Sequence, residues 1–346
     1  MARVRSVFIS FIGIALCAMG TSAQSSELGD LAAALQPGEW QELPTSGFNS
    51  ALLTQGSHHA LQYQESMKWD PVDRKMHFVG SGHLEPYIQV TFDEANNSWS
   101  KRDVPGYFDT SHGYDHMAID PVGRRFYFRQ FNGSRLDILN LDTGQWSTSS
   151  RMNADQWLVA GGLAWIPELE SVLFVDSVEI SLYTPRTDSW SLVTRNTNGL
   201  GEYHNFAEYS PVHQVTIYGG GNGSNTVYRI DANGNVERMS DSPVGLGIPQ
   251  SMVVADPISG NFLVFTDNSF YEYDPIADRW SRQSVSIPFG PGVDPGVIGA
   301  SAAPMSTHGV IMIVKYDGND SRVYLYRHQA GVGEPPPSRP LPPEFN

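Results

Sequence analysis

Short apolar runs alternate with polar turns along the chain, and one arrangement of them recurs. An apolar run leads into a proline turn and a second apolar run follows it, as in MAIDPVGRRFYF and VVADPISGNFLVF. Runs of this kind, bounded by Pro, Gly, Asp and Asn, predict β strands. The turn prolines are 50, 46, 44 and 46 residues apart: Pro71, Pro121, Pro167, Pro211 and Pro257. A pair of predicted strands therefore repeats along the chain.

A second marker repeats with the same period. Four tryptophans are separated by 47, 44 and 90 residues: Trp99, Trp146, Trp190 and Trp280. The last interval spans two repeats, and Val236 takes the tryptophan position in the repeat between them. Each of these positions begins a strand that follows a third strand and a turn, as in NLDTGQW and YEYDPIADRW. Each repeat therefore contains four predicted strands.

Four antiparallel strands in a repeat of ~40 to 50 residues are typical of a β-propeller blade. A sixth repeat, from about residue 300 to 329, has three predicted strands and lacks the tryptophan strand. Residues 38–45, which contain Trp40, can supply that strand and remove the exposed sheet edges. We predict an all-β, six-bladed β-propeller of four-stranded antiparallel blades, closed by this N-terminal strand. A pair of β-sandwiches or a β-helix is the alternative.

The two ends of the chain differ from the repeats. The basic start MARVR, an apolar run and the small residues TSA have the pattern of a secretory signal peptide, with cleavage expected after Ala23. A buried N-terminal helix is the alternative for this segment. We predict a signal peptide over residues 1–23, a lead-in over 24–37, the propeller over 38–329 and a proline-rich tail over 330–346.

Charge and cysteine content narrow the possible partners and the location. The 346 residues carry a net charge of −15, which disfavours nucleic acid as a partner because a phosphate backbone needs positive charge. Cys17 is the one cysteine, and it lies inside the predicted signal peptide, so the mature chain has no disulfide. We expect a periplasmic or secreted bacterial protein that does not bind membranes after cleavage.

The segments YDPIADRW and NLDTGQW, with GGGNG at 219–223, resemble the kelch and galactose-oxidase-like propellers over roughly residues 38–329. The resemblance implies a β-propeller. Galactose oxidase activity does not follow from it, because the cross-linked cysteine of that family has no counterpart in this chain. The chain also resembles the propeller polysaccharide lyases, including the ulvan lyases, in combining His, Tyr and Arg at one mouth of the ring. Sialic acid mutarotases are a second exported group with such rings.

Polar residues cluster where the innermost strands of repeats 1, 2 and 4 begin. These residues are Tyr63 and Glu65; Tyr114, Asp115 and His116; and Tyr203, His204 and Asn205. The equivalent positions of repeats 3 and 5 are small or apolar. Because buried polar groups without partners are costly, the polar positions indicate a functional mouth.

Each of these residue types has a chemical role that fits the mouth. We predict His116 and His204 as general bases or acids, and Tyr114 and Tyr203 as proton donors or sugar-stacking rings. Arg129 is predicted to pair with a uronate carboxylate. Substrate contacts are also predicted for Asn205, Glu65, Asp115, Arg135 and His83. Bonded structural histidines, packing tyrosines and a solvated arginine are the alternatives.

The predicted reaction requires no cofactor, although other roles for the acidic and histidine residues stay open. Glu65 and Asp115 could form a carboxylate pair for glycoside hydrolysis. Asp317, Asn319 and Asp320 could hold a structural calcium ion or form a plain turn. His58, His59 and His83 could bind a metal, but their spacing specifies none.

These observations favour a lyase that acts on a uronate-containing polysaccharide or oligosaccharide by β-elimination. A non-catalytic propeller that binds glycans or proteins is the second hypothesis, and a sugar mutarotase is the third. Ultraviolet absorbance of the unsaturated product distinguishes the lyase from both.

Overall fold

The computed structural model of the chain describes residues 26–335 and 337, except positions 57, 84, 153–159, 196, 249, 267–268, 289–298 and 317–319. The predicted signal peptide and most of the proline-rich tail lie outside these residues. The described chain is all-β and folds as a six-bladed β-propeller, which confirms the predicted fold class. Among the described residues no helix has the length and apolar character needed to span a bilayer.

Each blade is an antiparallel four-stranded sheet, and in blades 1 to 5 the strands follow the chain order from the central axis outward. Blades 1 to 3 consist of Lys68–Asp70, Lys75–Gly80, Ile88–Asp93 and Ser98–Asp103; Met117–Asp120, Arg125–Phe128, Asp137–Asn140 and Trp146–Thr148; and Gly162–Ile166, Ser171–Val175, Ile180–Thr184 and Ser189–Thr194. Blades 4 and 5 consist of Asn205–Ser210, Val215–Gly220, Val227–Asp231 and Val236–Arg238; and Met252–Ala255, Phe262–Phe265, Phe270–Asp274 and Arg279–Arg282.

Blade 6 is completed by the N-terminal strand, as the sequence predicted. Its first three strands are Gly299–Met305, Val310–Tyr316 and Ser321–Tyr326, and the outermost strand is Trp40–Glu42. Trp40 is paired in register with Tyr326, and their rings stack with centroids 4.2 Å apart. Because the first and last parts of the propeller share one sheet, the N-terminal strand closes the ring.

Short elements lie outside the four-stranded sheets. Before blade 1 they are the helices Glu27–Ala34 and Ser50–Leu53 and the paired strands Thr54–Gln55 and His58–His59. The 3-10 helices Glu94–Asn96 and Pro167–Leu169 lie in turns between strands of blades 1 and 3. Ser26 caps the first helix, since its hydroxyl accepts a hydrogen bond from the backbone N–H of Gly29 at 2.9 Å. The helix then buries Leu28 and Ala32 against the propeller.

The recurring tryptophan marks a contact between neighbouring blades. In blade 3, Trp190 Nε1 donates to the carbonyl of Ser150 at 3.1 Å, just beyond the outermost strand of blade 2. Asp188 accepts from the backbone N–H of Ser150 at 2.6 Å. Trp280 and Asp278 of blade 5 contact Ser240 in the same manner. This contact between adjacent blades is present at Trp190 and Trp280, whereas Trp99 and Trp146 pack against phenylalanine rings.

The innermost strands approach one another closely around part of the ring. Isolated parallel bridges join Ser66 to Ala302 and Asp115 to Gly162, so strands of adjacent blades pair across the axis-facing layer. A third bridge joins Gln64 to Tyr114. These contacts join the inner layers of blades 6, 1, 2 and 3 in turn.

Candidate functional site

We call the upper face the side on which the chain enters the innermost strand of each blade. The loops of blades 1, 2 and 4 meet at this face, although they are far apart in sequence. The Tyr63 and Tyr114 rings each lie 5.6 Å from the His204 ring, centroid to centroid. The predicted convergence of these three loops is therefore present in the structure.

Six side chains form what we call the aromatic cup: Tyr63, His112, Tyr114, Phe131, Tyr203 and His204. Tyr63 is stacked on His204, with an angle of 16° between the ring planes. Tyr203 and His204 have ring centroids 6.1 Å apart. Aromatic faces of this kind provide apolar contact area together with hydroxyl groups at the edge. A sugar ring offers matching C–H faces and hydroxyls.

His204 is the half-buried imidazole at the centre of the cup. No side-chain hydrogen bond involves its ring among the described residues, and its Nδ1 is buried without a partner. Burial lowers the pKa of His204 to about 4. At neutral pH the ring is therefore uncharged and retains a nitrogen lone pair that can accept a proton.

The backbone holds the three central rings in place with unusual dihedral angles. Tyr63, Tyr114 and His204 have φ values of 51°, 49° and 70°, in the left-handed region that side chains other than glycine seldom adopt. Each such residue costs ~1 kcal/mol or more, and such strain concentrates at functional sites. The strain is consistent with a constraint on the direction of these rings.

Two neighbours support the His204 loop from behind. Gly247 of the blade 5 loop has a φ of 87°, and a Cβ there would lie 2.1 Å from the carbonyl oxygen of His204. The Asn205 side-chain amide donates to the carbonyls of Gly201 and Gly220, both at 3.1 Å. Asn205 is buried by these contacts, so the structure places this predicted substrate contact behind the loop.

Tyr114 packs between the cup and the layer beneath it. Its ring lies 5.1 Å from His116 and 5.5 Å from Phe131. Burial raises the pKa of the Tyr114 hydroxyl. The phenol therefore stays protonated when His204 is neutral, which gives the cup a proton donor and a proton acceptor at the same pH.

His112 extends the cup toward the rim. Its Nδ1 lies 3.2 Å from the carbonyl oxygen of Ser81, and its Nε2 lies 3.2 Å from Nδ1 of the exposed His83. Burial lowers the pKa of His112 to about 4. Since a neutral His112 donates from Nδ1 to the carbonyl, its Nε2 accepts from His83. The sequence analysis selected His83 and missed His112, although the alternating residues of SHGYDH place it on the side of Tyr114 and His116.

His116 and Arg129 lie together beneath the cup and not at its surface. Nε2 of His116 accepts hydrogen bonds from Arg129 Nη2 at 3.0 Å and from the backbone N–H of Gly161 at 3.1 Å. Arg129 also donates to the carbonyl of Gly133 at 3.0 Å, and its guanidinium lies 4.6 Å from the centre of the Phe174 ring. Both side chains have 0% exposure.

This buried pair has a clear electrostatic character. Burial, reinforced by the charge of Arg129, holds the pKa of His116 well below its usual value. Burial lowers the pKa of Arg129 to about 10, so the guanidinium remains charged at neutral pH. A neutral imidazole that accepts two hydrogen bonds supports the position of Arg129. His116 is therefore not placed as an accessible general base, the role that the sequence predicted for it.

Four ionisable residues, which we call the channel cluster, fill the axis below the cup: Glu65, Lys68, Asp115 and Glu208. Lys68 Nζ lies 3.5 Å from Glu208 Oε2 and 4.0 Å from Asp115 Oδ1. Asp115 accepts a hydrogen bond from the backbone N–H of Ala207 at 2.7 Å, and Glu208 accepts one from Ala255 at 3.3 Å. The carboxylates therefore satisfy amides of innermost strands that face the channel.

Burial raises the pKa of Glu65, and the carboxylates of Asp115 and Glu208 raise it further. Burial also raises the pKa of Asp115. The structure thus brings the predicted pair Glu65 and Asp115 together, but within a buried cluster. Lys68 and Glu208 were not predicted from the sequence. Each lies three residues before the turn proline of its blade. Ala118 and Ala164 occupy the same position in blades 2 and 3, and they also line the channel.

The remaining predicted residues lie elsewhere. Arg135 is exposed, and its guanidinium donates to the carbonyl of Ser149, beyond the outermost strand of blade 2. Asp317 and Asn319 lie outside the described residues, while Asp320 accepts from Arg322 Nε at 2.8 Å. In the part of the chain that the structure describes, no group of three His, Cys, Asp or Glu side chains could hold a metal ion.

Three solved structures are similar to this chain at low sequence identity, and one of them reaches a TM-score of 0.50. The streptogramin B lyase structure is 12% identical with a TM-score of 0.50, covering 85% of this chain and 88% of that chain. A fungal alcohol oxidase of the AA5 family, in complex with copper, is 10% identical with a TM-score of 0.47, covering 84% and 76%. A nidogen/laminin complex structure is 10% identical with a TM-score of 0.47, covering 62% and 77%. The sequence matches no protein-family model and no curated protein. At these identities the likeness concerns the β-propeller fold alone.

Proposed function

We propose that this chain is an exported, kelch-like propeller, periplasmic or secreted from a bacterium, that binds an oligosaccharide in the aromatic cup. We further propose that it cleaves a uronate-containing polysaccharide by β-elimination. The observation that carries the proposal is the position of His204: an imidazole without a hydrogen-bond partner among the described residues lies 5.6 Å from two tyrosine rings.

The protonation states of the cup suit this reaction. His204, neutral at working pH, removes the proton at C5 of the uronate, and the electron pair of that C–H bond forms the C4–C5 double bond. The C4–O bond breaks, and the leaving oxygen takes a proton from a tyrosine hydroxyl. Tyr114, Tyr63 and Tyr203 are the three tyrosines of the cup. The base and the acid thus act in the states that their surroundings favour.

Arg129 acts in this proposal through its charge and not by direct pairing with the substrate. Its guanidinium contacts His116, and His116 in turn contacts the ring of Tyr114 in the cup. A fixed positive charge one layer below the cup favours negative charge developing on the carboxylate of the substrate. The low internal dielectric strengthens that effect relative to water.

The burial of Arg129 favours a second function, non-catalytic glycan binding. Because Arg129 is fully buried, it offers no direct hydrogen bond to a uronate carboxylate at the surface. A cup of aromatic rings is sufficient to bind an uncharged sugar by stacking. In that case the strain at Tyr63, Tyr114 and His204 sets the shape of the binding surface.

The two functions are separated by measuring binding and bond cleavage on the same panel of glycans. The panel contains uronate polysaccharides and their uncharged counterparts, with titration calorimetry for binding and ultraviolet absorbance for the unsaturated product. A rise in absorbance with the uronate substrates supports the lyase. Binding of uncharged glycans without any rise supports the binding protein, and an absence of binding throughout the panel contradicts both.

A further inference from the structure

A second cavity opens on the lower face, the side on which proline turns join the first and second strands of the blades. Its volume is about 330 Å³. The turn prolines of five blades line it, and the channel cluster contributes Lys68 and Glu208 at its inner end. Aromatic walls come from Trp69, Trp165 and Tyr209. We call this space the lower cavity.

The proline-rich tail covers the lower cavity. Glu334, Pro335 and Pro337 belong to its lining, together with the blade residues. The backbone N–H of Glu334 donates to the carbonyl of Ser306 at 2.8 Å, which fixes the tail to the first turn of blade 6. The tail thus crosses the lower opening of the channel after leaving blade 6.

Two glycines allow the tail to lie close against the blades. A Cβ at Gly333 would lie 2.3 Å from the backbone of Thr307, and one at Gly331 would lie 2.6 Å from the side chain of Ile258. Larger residues at these positions would lift the chain away from the turns of blades 5 and 6. The sequence GVGEPPP therefore combines a close-fitting approach with a run of prolines.

Arg327 anchors the approach to the cavity. Its guanidinium donates to the carbonyls of Gly331 at 2.7 Å, Ala32 at 2.8 Å and His308 at 3.3 Å. One buried side chain thereby joins the tail, the N-terminal helix and the first turn of blade 6. The path of the tail is set by specific hydrogen bonds in addition to apolar contact.

We propose that the wall of the lower cavity binds polyproline II segments and that the segment it binds is the chain's own tail, which forms part of the cavity's lining. A proline-rich segment has a preformed extended shape and loses little entropy on binding, and proteins recognise it with aromatic grooves. Trp69, Trp165 and Tyr209 line the same cavity as Pro335 and Pro337. In this proposal the tail acts as a strap on the lower face of the propeller.

The strap is tested with a chain that ends at Gly333 and a labelled peptide of residues 332–346. Because the linked tail has an effective concentration of the order of 1 mM, the titration extends into the millimolar range. We expect saturable one-to-one binding to the shortened chain and at least about tenfold weaker binding to the full chain. A peptide with P335A and P337A should bind at least about tenfold more weakly than the natural one.

Site-specific variants test the location. In the shortened chain, W165A should reduce peptide binding by about tenfold or more, whereas W190A, on the outer strand of the same blade, should not. Circular dichroism verifies that each variant is folded. If the shortened chain does not fold, the full chain with P335A and P337A takes its place and should bind the natural peptide more tightly than the unaltered full chain.

Three results would overturn the proposal. The first is the absence of saturable binding to a folded chain whose tail has been removed or altered. The second is equal binding to that chain and to the unaltered full chain, because the binding surface would then be open when the tail is present. A full chain that dimerises by exchange of tails would also contradict an intramolecular strap, and sedimentation velocity detects it.

Discussion

Nη2 of Arg129 lies 3.0 Å from Nε2 of His116, and this contact fixes the imidazole as an uncharged hydrogen-bond acceptor. The same nitrogen accepts from the backbone N–H of Gly161, so its one lone pair is shared between two donors of the protein. His204 has no such partners among the described residues. The two histidines that the sequence predicts as equivalent therefore occupy different layers and perform different tasks.

The first prediction concerns the stability that His116 provides. H116A leaves the buried guanidinium of Arg129 and the N–H of Gly161 without their acceptor, so it should reduce the free energy of unfolding by ~2 to 4 kcal/mol. Urea denaturation measures the change. V122A, which truncates an exposed side chain, is the control and should shift stability by less than about 0.5 kcal/mol. Equal stability of H116A and the wild type would show that the pair does not support the fold.

The second prediction concerns the support of the His204 loop. G247A places a Cβ against the carbonyl of His204 at a φ of 87°, so it should destabilise the chain by ~1 to 3 kcal/mol and weaken glycan binding. Thermal unfolding and calorimetry measure the two effects. G106A is the matched control, since no atom lies within 4 Å of a Cβ at that position. Unchanged glycan affinity in a folded G247A protein would place the binding site away from this loop.

The third prediction is the pH dependence of the proposed elimination. His204 acts as a base in its neutral form, and burial lowers its pKa to about 4. The rate should therefore fall as the pH drops through about 4. It should not change around pH 6.5, which is about the ordinary pKa of histidine. The pH profile of kcat/KM measures this, with tryptophan fluorescence to verify that the protein stays folded. An inflection near 6.5 would assign the base to an exposed histidine.

The fourth prediction concerns acid stability at the junction of the helix Glu27–Ala34 with blades 1 and 6. Although burial opposes the shift, hydrogen bonds from His308, Arg74 and Ser26 lower the pKa of Glu94 to about 2. A lowered pKa stabilises the fold above about 4.5 and ceases to do so as the pH falls from about 4.5 to about 2. E94Q should therefore lose ~3 kcal/mol at neutral pH, and its difference from the wild type should shrink below pH 4.

Chemical denaturation between pH 7 and pH 3 measures this difference. E42Q is the control, because Glu42 forms an exposed ion pair with Arg322 and such pairs contribute ~0 to 1 kcal/mol. A constant difference between E94Q and the wild type over this pH range would contradict the role assigned to the Glu94 carboxylate.

The fold could be predicted from the sequence because two markers recur along the chain. The turn prolines precede the second strand of five blades, and Trp190 and Trp280 hold neighbouring blades together. The missing strand of the sixth repeat and the spare strand at Trp40 led directly to ring closure. Such regularity arises because every blade must bury its apolar faces against its two neighbours in the same way.

The sequence did not show which residues lie in the aromatic cup and which lie beneath it. Tyr114 and His116 are two residues apart, yet one lines the cup and the other lies below it beside Arg129. Arg129 and Arg135 follow the same strand, yet one is buried and the other exposed. These differences depend on how the inner loops of blades 2, 3 and 4 pack together, which local spacing does not encode.

The central claim is that His204 in the aromatic cup acts as the base of an elimination. The most direct test compares the wild type with H204Q on a uronate polysaccharide, following the ultraviolet absorbance of the new double bond while calorimetry measures binding. We predict that both proteins bind the polymer and that only the wild type produces the unsaturated product. An H204Q protein that produces it at the wild-type rate, or a wild type that binds without producing it, would contradict the claim.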